Sequence, residues 1–323
     1  MKPAPNANFT SLGTKTPGPD SPRYLEYRRQ WMENPETFHL RDFPLHLDLE
    51  ATNRCNLDCV FCDKRPALSG AALGDMDFSL FARILDEAAE HELYGVKFSY
   101  RGEPLLHPRL IEMVAYAKRK GALDVYFNTN AMLLDETAAR GMIDAGLDRI
   151  SISVEGVDPA AYEAGRRGAR FSLLTKNLTA LVNLRDALGS VTPRVRVQTV
   201  KLPGLDLDEY SRFWLTMADE AGAVDFNDVR NRRKGLAAPF ACPQLWQRMT
   251  VTWDGDVMPC NNDDLKLLSP GSAATRSIRD CWLDPTVQKA REIHRRLASH
   301  ELAACDGCPW RTTQIEKAEG KRS

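Results

Sequence analysis

The chain lacks any run of about 18 apolar residues, so no transmembrane helix is expected. It also lacks a charge excess. Its 43 Lys and Arg against 44 Asp and Glu leave a formal net charge of -1. That balance gives no reason to expect nucleic acid or an anionic membrane as a partner. The opening residues, MKPAPNANFTSLGTKTPGPDSPR, have no apolar stretch of the kind a secretory signal needs, and a cytoplasmic location is the expectation. Histidine is scarce: His39, His46, His91, His107, His294 and His300 are scattered. No general acid or base is named from them, and only His107 is placed near the strand ends. Cysteine is absent between Cys62 and Cys242.

What remains is the composition of a globular protein, with 27% charged and 43% hydrophobic residues over 323 positions. That length suffices for one large or two smaller units. Eight cysteines stand at 55, 59, 62, 242, 260, 281, 305 and 308. In a reducing compartment, clustered cysteines more often hold metal than form disulfides. Their distribution predicts two separate sites.

Residues 1–22 read as a disordered or loosely attached arm. Residues 23–33 read as a short helix whose Tyr24, Tyr27 and Trp31 pack it onto the body. From residue 45 the pattern alternates. Strands are expected at 45–52, 94–100, 123–129, 148–154, 194–200 and 224–229. Helices are expected at 77–92, 108–120, 135–145, 172–187 and 206–221. Strands separated by helices of this length argue for βαβ units and a parallel sheet. Six strands are too few for a closed eight-fold barrel, so an α/β fold built on a partial (βα)6 barrel, or an open parallel sheet, is expected. The pattern changes near residue 235. Residues 249–253 and 256–260 read as a hairpin across Asp254–Gly255, since Asp-Gly between apolar runs favours a tight turn. A helix at 284–299 and a Cys305–Asp306–Gly307–Cys308 corner follow. The expected organisation is an arm over 1–44, a core over 45–234 and a small hairpin-plus-helix domain over 235–323.

Cys55, Cys59 and Cys62 form C-x3-C-x2-C directly after the first strand. Three thiolates on one loop can ligate three irons of a [4Fe–4S] cluster and leave the fourth iron open to a cosubstrate. The alternative, a zinc site, would have to borrow a fourth ligand, and none follows at suitable spacing.

With Phe61 before its last cysteine, this segment resembles the signature of the radical S-adenosylmethionine (SAM) superfamily. The resemblance implies that the open iron binds SAM, whose reductive cleavage yields a 5′-deoxyadenosyl radical. It also implies an electron donor of flavodoxin or ferredoxin type. Ser99-Tyr-Arg-Gly-Glu-Pro104 resembles the family's Gly-Gly-Glu motif, with Arg101 in place of the first glycine. Gly102 and Glu103 are thereby expected to bind SAM, Glu103 through the amino group. Asn128, Ser153 and Glu155 stand at later strand ends, where sites of parallel α/β sheets collect. Arg166, or its neighbour Arg167, is expected to pair with the SAM carboxylate.

Cys242 and Cys260 flank the hairpin, and Cys305 and Cys308 form C-x2-C. Four cysteines suit either a second [4Fe–4S] cluster or tetrahedral zinc. The region resembles the SPASM/twitch extension of radical SAM enzymes, which favours the cluster. No cysteine follows Cys308, and Gln314 stands where the full SPASM form would have its next, so the shorter twitch form is expected.

Cys281 is left over. It can be a buried apolar residue beside Trp282, a substitute ligand, or the thiol hydrogen donor of a radical epimerase. The layout resembles family members that act on sugars and aminocyclitols, with a small carbohydrate-like substrate. Glu155, Asp225 and Asp228 could then hydrogen-bond hydroxyl or amino groups. The leading expectation is epimerisation with Cys281 as donor. The alternatives are a dehydrogenase that oxidises a secondary alcohol, and a peptide-modifying enzyme.

Overall fold

The computed structural model describes residues 9–15, 18–62, 70–226 and 234–321. In chain order its elements begin with β1 (Phe9–Thr14), α1 (Pro22–Thr37), β2 (His46–Leu49) and β3 (Asp58–Cys59). Next come α2 (Phe78–Glu90), β4 (Gly95–Lys97), α3 (Leu110–Arg119), β5 (Asp124–Thr129) and α4 (Glu136–Asp144). β6 (Arg149–Ser153), α5 (Pro159–Gly165), β7 (Arg166–Arg167), α6 (Phe171–Ala187) and β8 (Arg194–Val200) follow. The core closes with α7 (Leu207–Trp214) and β9 (Glu220–Val224). The C-terminal part holds β10 (Arg248–Val251), β11 (Asp256–Met258), β12 (Gly271–Ser272), α8 (Ile278–Trp282), α9 (Pro285–Arg295) and α10 (Pro309–Ala318).

Six parallel strands run β9-β8-β6-β5-β4-β2 across one ten-stranded sheet, as expected of a partial (βα)6 barrel. Strand residues alternate between the two faces. One set, including Leu47, Leu49, Val96, Val125, Phe127, Ile150, Ile152, Val195 and Val197, is fully buried in the main core under the helices. The other set lines the lumen and is charged. Arg149 pairs with Asp124 at 2.6 Å, Arg196 with Glu220 at 2.9 Å and Arg248 with Asp48 at 2.9 Å.

Helix α1 sits at the N-terminal end of these strands. Tyr27, Trp31, Leu45 and Tyr94 form a separate apolar cluster there. The Tyr27 hydroxyl meets His46 Nδ1 at 3.3 Å, and the Trp31 carbonyl accepts from Gln247 Nε2 at 2.7 Å. The aromatics of α1 therefore pack against the bottom of the barrel, as the sequence suggested, and leave the opposite end for chemistry.

Two expectations need correction. Residues 9–14 are not a loose arm: β1 pairs antiparallel with β9 and covers the sheet edge. The last core strand lies at 220–224 rather than 224–229, and the preceding helix is correspondingly short; residues 227–229 of the expected strand, with Asp228, lie outside the described residues. The expected hairpin is present as β10 and β11, and β10 also runs parallel to β2 and extends the barrel sheet into the C-terminal domain. Helix α10 then reaches back to the last core strand, where Lys317 meets Asp225 at 2.5 Å beside Lys201 at 3.4 Å. That carboxylate is spent on two ammonium groups.

Trp214 of α7 is fully buried, and its Nε1 donates to the Gly156 carbonyl at 3.0 Å, fixing the turn after Glu155. Trp214→Ala should cost about 3–5 kcal/mol. A lowered midpoint in urea denaturation would show it; an unchanged midpoint would contradict this packing.

Candidate active site at the strand ends

The loop carrying Cys55, Cys59 and Cys62 leaves β2 and is stitched down at several points. β3 pairs antiparallel with β7, placing Cys59 opposite Arg166. Val60 N–H donates to the Gly165 carbonyl at 3.0 Å. A Cβ on Gly165 would stand 3.1 Å from the Phe61 ring, so the bare backbone lets that ring lie close. Arg54 pairs with Asp75, and the Glu103 N–H donates to the Arg54 carbonyl at 2.7 Å. Gly102 has no room for a side chain: its Cβ would fall 2.4 Å from the Arg54 oxygen and 2.5 Å from the Thr52 oxygen. Cys55 and Cys62 are exposed and Cys59 is half-buried.

Glu103 is buried under this loop. Its carboxylate accepts from Thr129 Oγ1 at 2.6 Å, from the Asn130 N–H at 2.8 Å and from the Leu105 N–H at 3.2 Å. Burial raises its pKa above the ordinary range, and those three donors work against the rise. Asn130 Nδ2 also donates to Asn56 Oδ1 at 2.8 Å, tying the end of β5 to the cysteine loop. Thr129 and Asn130 thus join the site. They lie in the same strand-end tripeptide as Asn128, and that adjacency was the available signal. Asn128 itself is held by its N–H donating to Ser99 Oγ at 2.8 Å. Ser153 ends β6 opposite Gln198 on β8.

Arg166 and Arg167 differ in position. Arg167 is exposed and lies 4.0 Å from Asp58. Arg166 forms a bidentate pair with Glu155, at 2.5 Å from Nε and 2.7 Å from Nη2. Its Nη1 is 3.8 Å from Cys59 Sγ and its guanidinium lies 5.3 Å from the Phe61 ring centre. Glu155 and Arg166 therefore form one unit beside the cysteines. Arg101 turns away to pair with buried Glu50 at 2.6 Å. His107 does not point into the site: its Nε2 meets the Met76 carbonyl at 3.0 Å and its Nδ1 accepts from the Arg109 N–H, a structural role.

The second cysteine set assembles from three segments. Cys242 precedes β10, Cys260 follows β11, and Cys305 and Cys308 form a turn closed by the Cys308 N–H on the Cys305 carbonyl at 3.0 Å. Burial pushes the Cys242, Cys260 and Cys305 thiols up, Cys260 to about 12, and the charges of Cys242, Cys260 and Cys308 each oppose a thiolate at Cys305. Such a set is stable as thiolates only with bound cationic metal. Among the described residues, no three His, Cys, Asp or Glu side chains close on one point as a single ion requires. A cubane cluster takes one thiolate per iron, so three thiols in the first set and four in the second supply the donor chemistry of [4Fe–4S] clusters. The loop that follows Cys260 reaches the strand-end region. The Tyr100 hydroxyl donates to Asp264 Oδ1 at 2.5 Å, four residues past Cys260, and the Trp253 N–H donates to Glu50 at 3.2 Å.

Cys281, the expected hydrogen donor, lies on α8. It is fully buried in the main core. That helix is tethered to α2, whose Glu87 accepts from the Ile278 and Arg279 N–H groups at 2.8 Å each. Trp282 beside it donates to the Arg41 carbonyl at 2.8 Å. A hydrogen donor has to meet the substrate carbon. In this structure the thiol is packed in the main core among apolar side chains.

This arrangement defines an iron–sulfur enzyme that opens at the strand ends of a partial barrel. The chain belongs to the radical SAM superfamily: the family model matches residues 49–211, half of the chain. A second model, of the SPASM iron–sulfur cluster-binding domain, matches residues 242–309. Its cofactors are accordingly SAM and [4Fe–4S] clusters. The chain is 26% identical over 328 residues to a tungsten-containing aldehyde ferredoxin oxidoreductase cofactor-modifying protein of Pyrococcus furiosus, covering 84% of this chain and 91% of that one. It is 26% identical over 309 residues to a PqqA peptide cyclase of Xanthomonas oryzae, covering 83% of this chain and 81% of the relative. Among solved structures it resembles anSMEcpe with bound AdoMet, with a TM-score of 0.60 at 14% identity over 86% of this chain and 98% of the other. At that identity the likeness concerns the fold.

Gly102→Ala should drive Glu103 off the Arg54 carbonyl, because the clash is with backbone. Iron retained by the first cysteine set after anaerobic reconstitution should fall, while the second set keeps about four irons. Full iron content in that variant, with wild-type thermal stability, would contradict the close approach.

Proposed function

We propose that the chain is an oxidative radical SAM enzyme. It removes a hydrogen atom from a substrate held at the mouth of the lumen, and the second cysteine set holds the acceptor for the electron left behind. When bound, SAM on the first cluster supplies a 5′-deoxyadenosyl radical and the second cluster supplies that acceptor. The observation that carries this reading is the pairing of Tyr100 with Asp264, which brings the loop beside Cys260 to the end of β4. The remoteness of Cys281 supports the same reading, since it leaves a thiol-donor epimerisation without its thiol.

In this reading Glu103 receives the SAM amino group in its buried cradle. The Arg166–Glu155 unit meets the carboxylate side beside Cys59. Charge-assisted bonds of this kind are worth about 1.5–3 kcal/mol. Asn128 and Ser153 present polar groups from the lumen side of β5 and β6. An electron donor of flavodoxin or ferredoxin type supplies the reducing electron.

The substrate is a peptide side chain, a reading supported by the PqqA peptide cyclase relative, which aligns over most of both chains. A second reading, a small polar molecule such as a sugar, is favoured by the charged lumen. Arg196 Nε, Arg248 Nε and Thr250 Oγ1 there lack hydrogen-bond partners among the described residues. The cofactor-modifying relative is in keeping with this second reading.

The deciding experiment runs the reconstituted enzyme in D2O with SAM, a reductant and a peptide encoded by a neighbouring reading frame. Oxidation predicts a product with two hydrogens fewer and no carbon-bound deuterium, unaffected by Cys281→Ala. A product of unchanged composition carrying one deuterium, and lost in Cys281→Ala, would restore the epimerase. Separately, Glu103→Gln should weaken SAM binding by roughly tenfold or more in calorimetry, consistent with the charge-assisted bond above, with iron content unchanged. Wild-type affinity would remove Glu103 from the SAM site.

A further inference from the structure

One buried group at the second cysteine set is used by nothing described so far. His294, on the last turn of α9, has no solvent exposure. Its Nδ1 accepts from the Cys242 N–H at 2.9 Å. Its Nε2 stands 3.4 Å from Cys305 Sγ. These two contacts join cysteines from opposite ends of the C-terminal domain.

The contacts also determine where the ring carries its hydrogen. A backbone N–H can only donate, so the Nδ1 facing it has its lone pair free. The neutral ring then bears its hydrogen on Nε2, pointing at the sulfur. The nearby cation Arg311 directs Nε to Ser299 Oγ at 2.8 Å and Nη2 to the Leu236 and Ala238 carbonyls, and its Nη1 has no hydrogen-bond partner among the described residues.

We infer that His294 is a positioning residue for the second cluster, donating Nε2–H to the Cys305 sulfur and raising the cluster's reduction potential. The inference rests on the reading that the second set holds a [4Fe–4S] cluster. A hydrogen bond to a ligand thiolate withdraws charge from the sulfur and favours the reduced, more negative cluster. For an enzyme that disposes of an electron from its substrate, a higher potential makes this cluster a better acceptor. The same ring holds the Cys242 backbone, so it also orients a second ligand.

The test uses full-length protein carrying Cys55→Ala, Cys59→Ala and Cys62→Ala, so that only the second cluster gives a signal. EPR-monitored redox titration compares His294, His294→Leu and His294→Gln in that background. The leucine variant cannot donate, and its ratio of reduced to oxidised cluster at a fixed potential should fall by about tenfold, the equivalent of one hydrogen bond. Glutamine can place its amide oxygen on Cys242 and its NH2 on Cys305, and should restore the ratio. An unchanged ratio in the leucine variant overturns the role of His294 alone. Absence of iron in the parent protein overturns the cluster reading and this inference together. Should leucine prevent assembly, pulsed EPR on the parent with 15N-labelled histidine decides: an exchangeable proton coupled to both the cluster and the label is expected, and its absence overturns the inference.

Discussion

The bond from the Glu103 N–H to the Arg54 carbonyl, 2.7 Å long, exists only because Gly102 has no side chain. It brings the end of β4 against the strand that enters the cysteine loop. From it follow the burial of the Glu103 carboxylate, its cradle of Thr129 and Asn130, and the link from Asn130 to Asn56 inside the loop. On the other side, the pairing of Cys59 with Arg166 holds the loop to the segment after β6. The three cysteines are thus fixed from two directions by backbone contacts, while two of them stay open to the mouth. A site that binds a charged cosubstrate needs such rigid support, because a small displacement of the reacting groups costs rate steeply.

The rest of the barrel serves the same end. Its lumen holds ion pairs where other α/β barrels pack branched apolar side chains. Paired charges keep that interior polar without leaving uncompensated buried ions. Helix α1 packs aromatic rings against the lower end. The C-terminal domain is attached by sheet continuity through β10 and by the Lys317–Asp225 pair.

Much of this was legible in the sequence because it is local. The C-x3-C-x2-C spacing, the Asp-Gly hairpin and most of the alternating strands and helices depend on neighbours in the chain. What was not legible depends on distant partners. Residues 9–14 become a strand only against β9, more than 200 positions away. The strand Glu-Ala-Gly-Ala-Val at 220–224 is built of small residues with weak strand preference, whereas Val224, Phe226 and Val229 give the segment 224–229 the more strand-like composition. Cys281 looked like a free thiol because the sequence did not reveal that α8 packs against α2. Arg101 looked like a departure from the family motif, and its partner Glu50 lies on another segment, beyond β2.

The central claim is that Cys55, Cys59 and Cys62 hold a cluster on which SAM is cleaved. Its most direct test is the amount of 5′-deoxyadenosine formed from SAM by the anaerobically reconstituted chain with dithionite, beside Cys59→Ala treated alike. The account predicts formation in the wild type and none above background in the variant, with the second cluster still loaded. Equal formation in both proteins, or none in a wild type that carries both clusters, would contradict it.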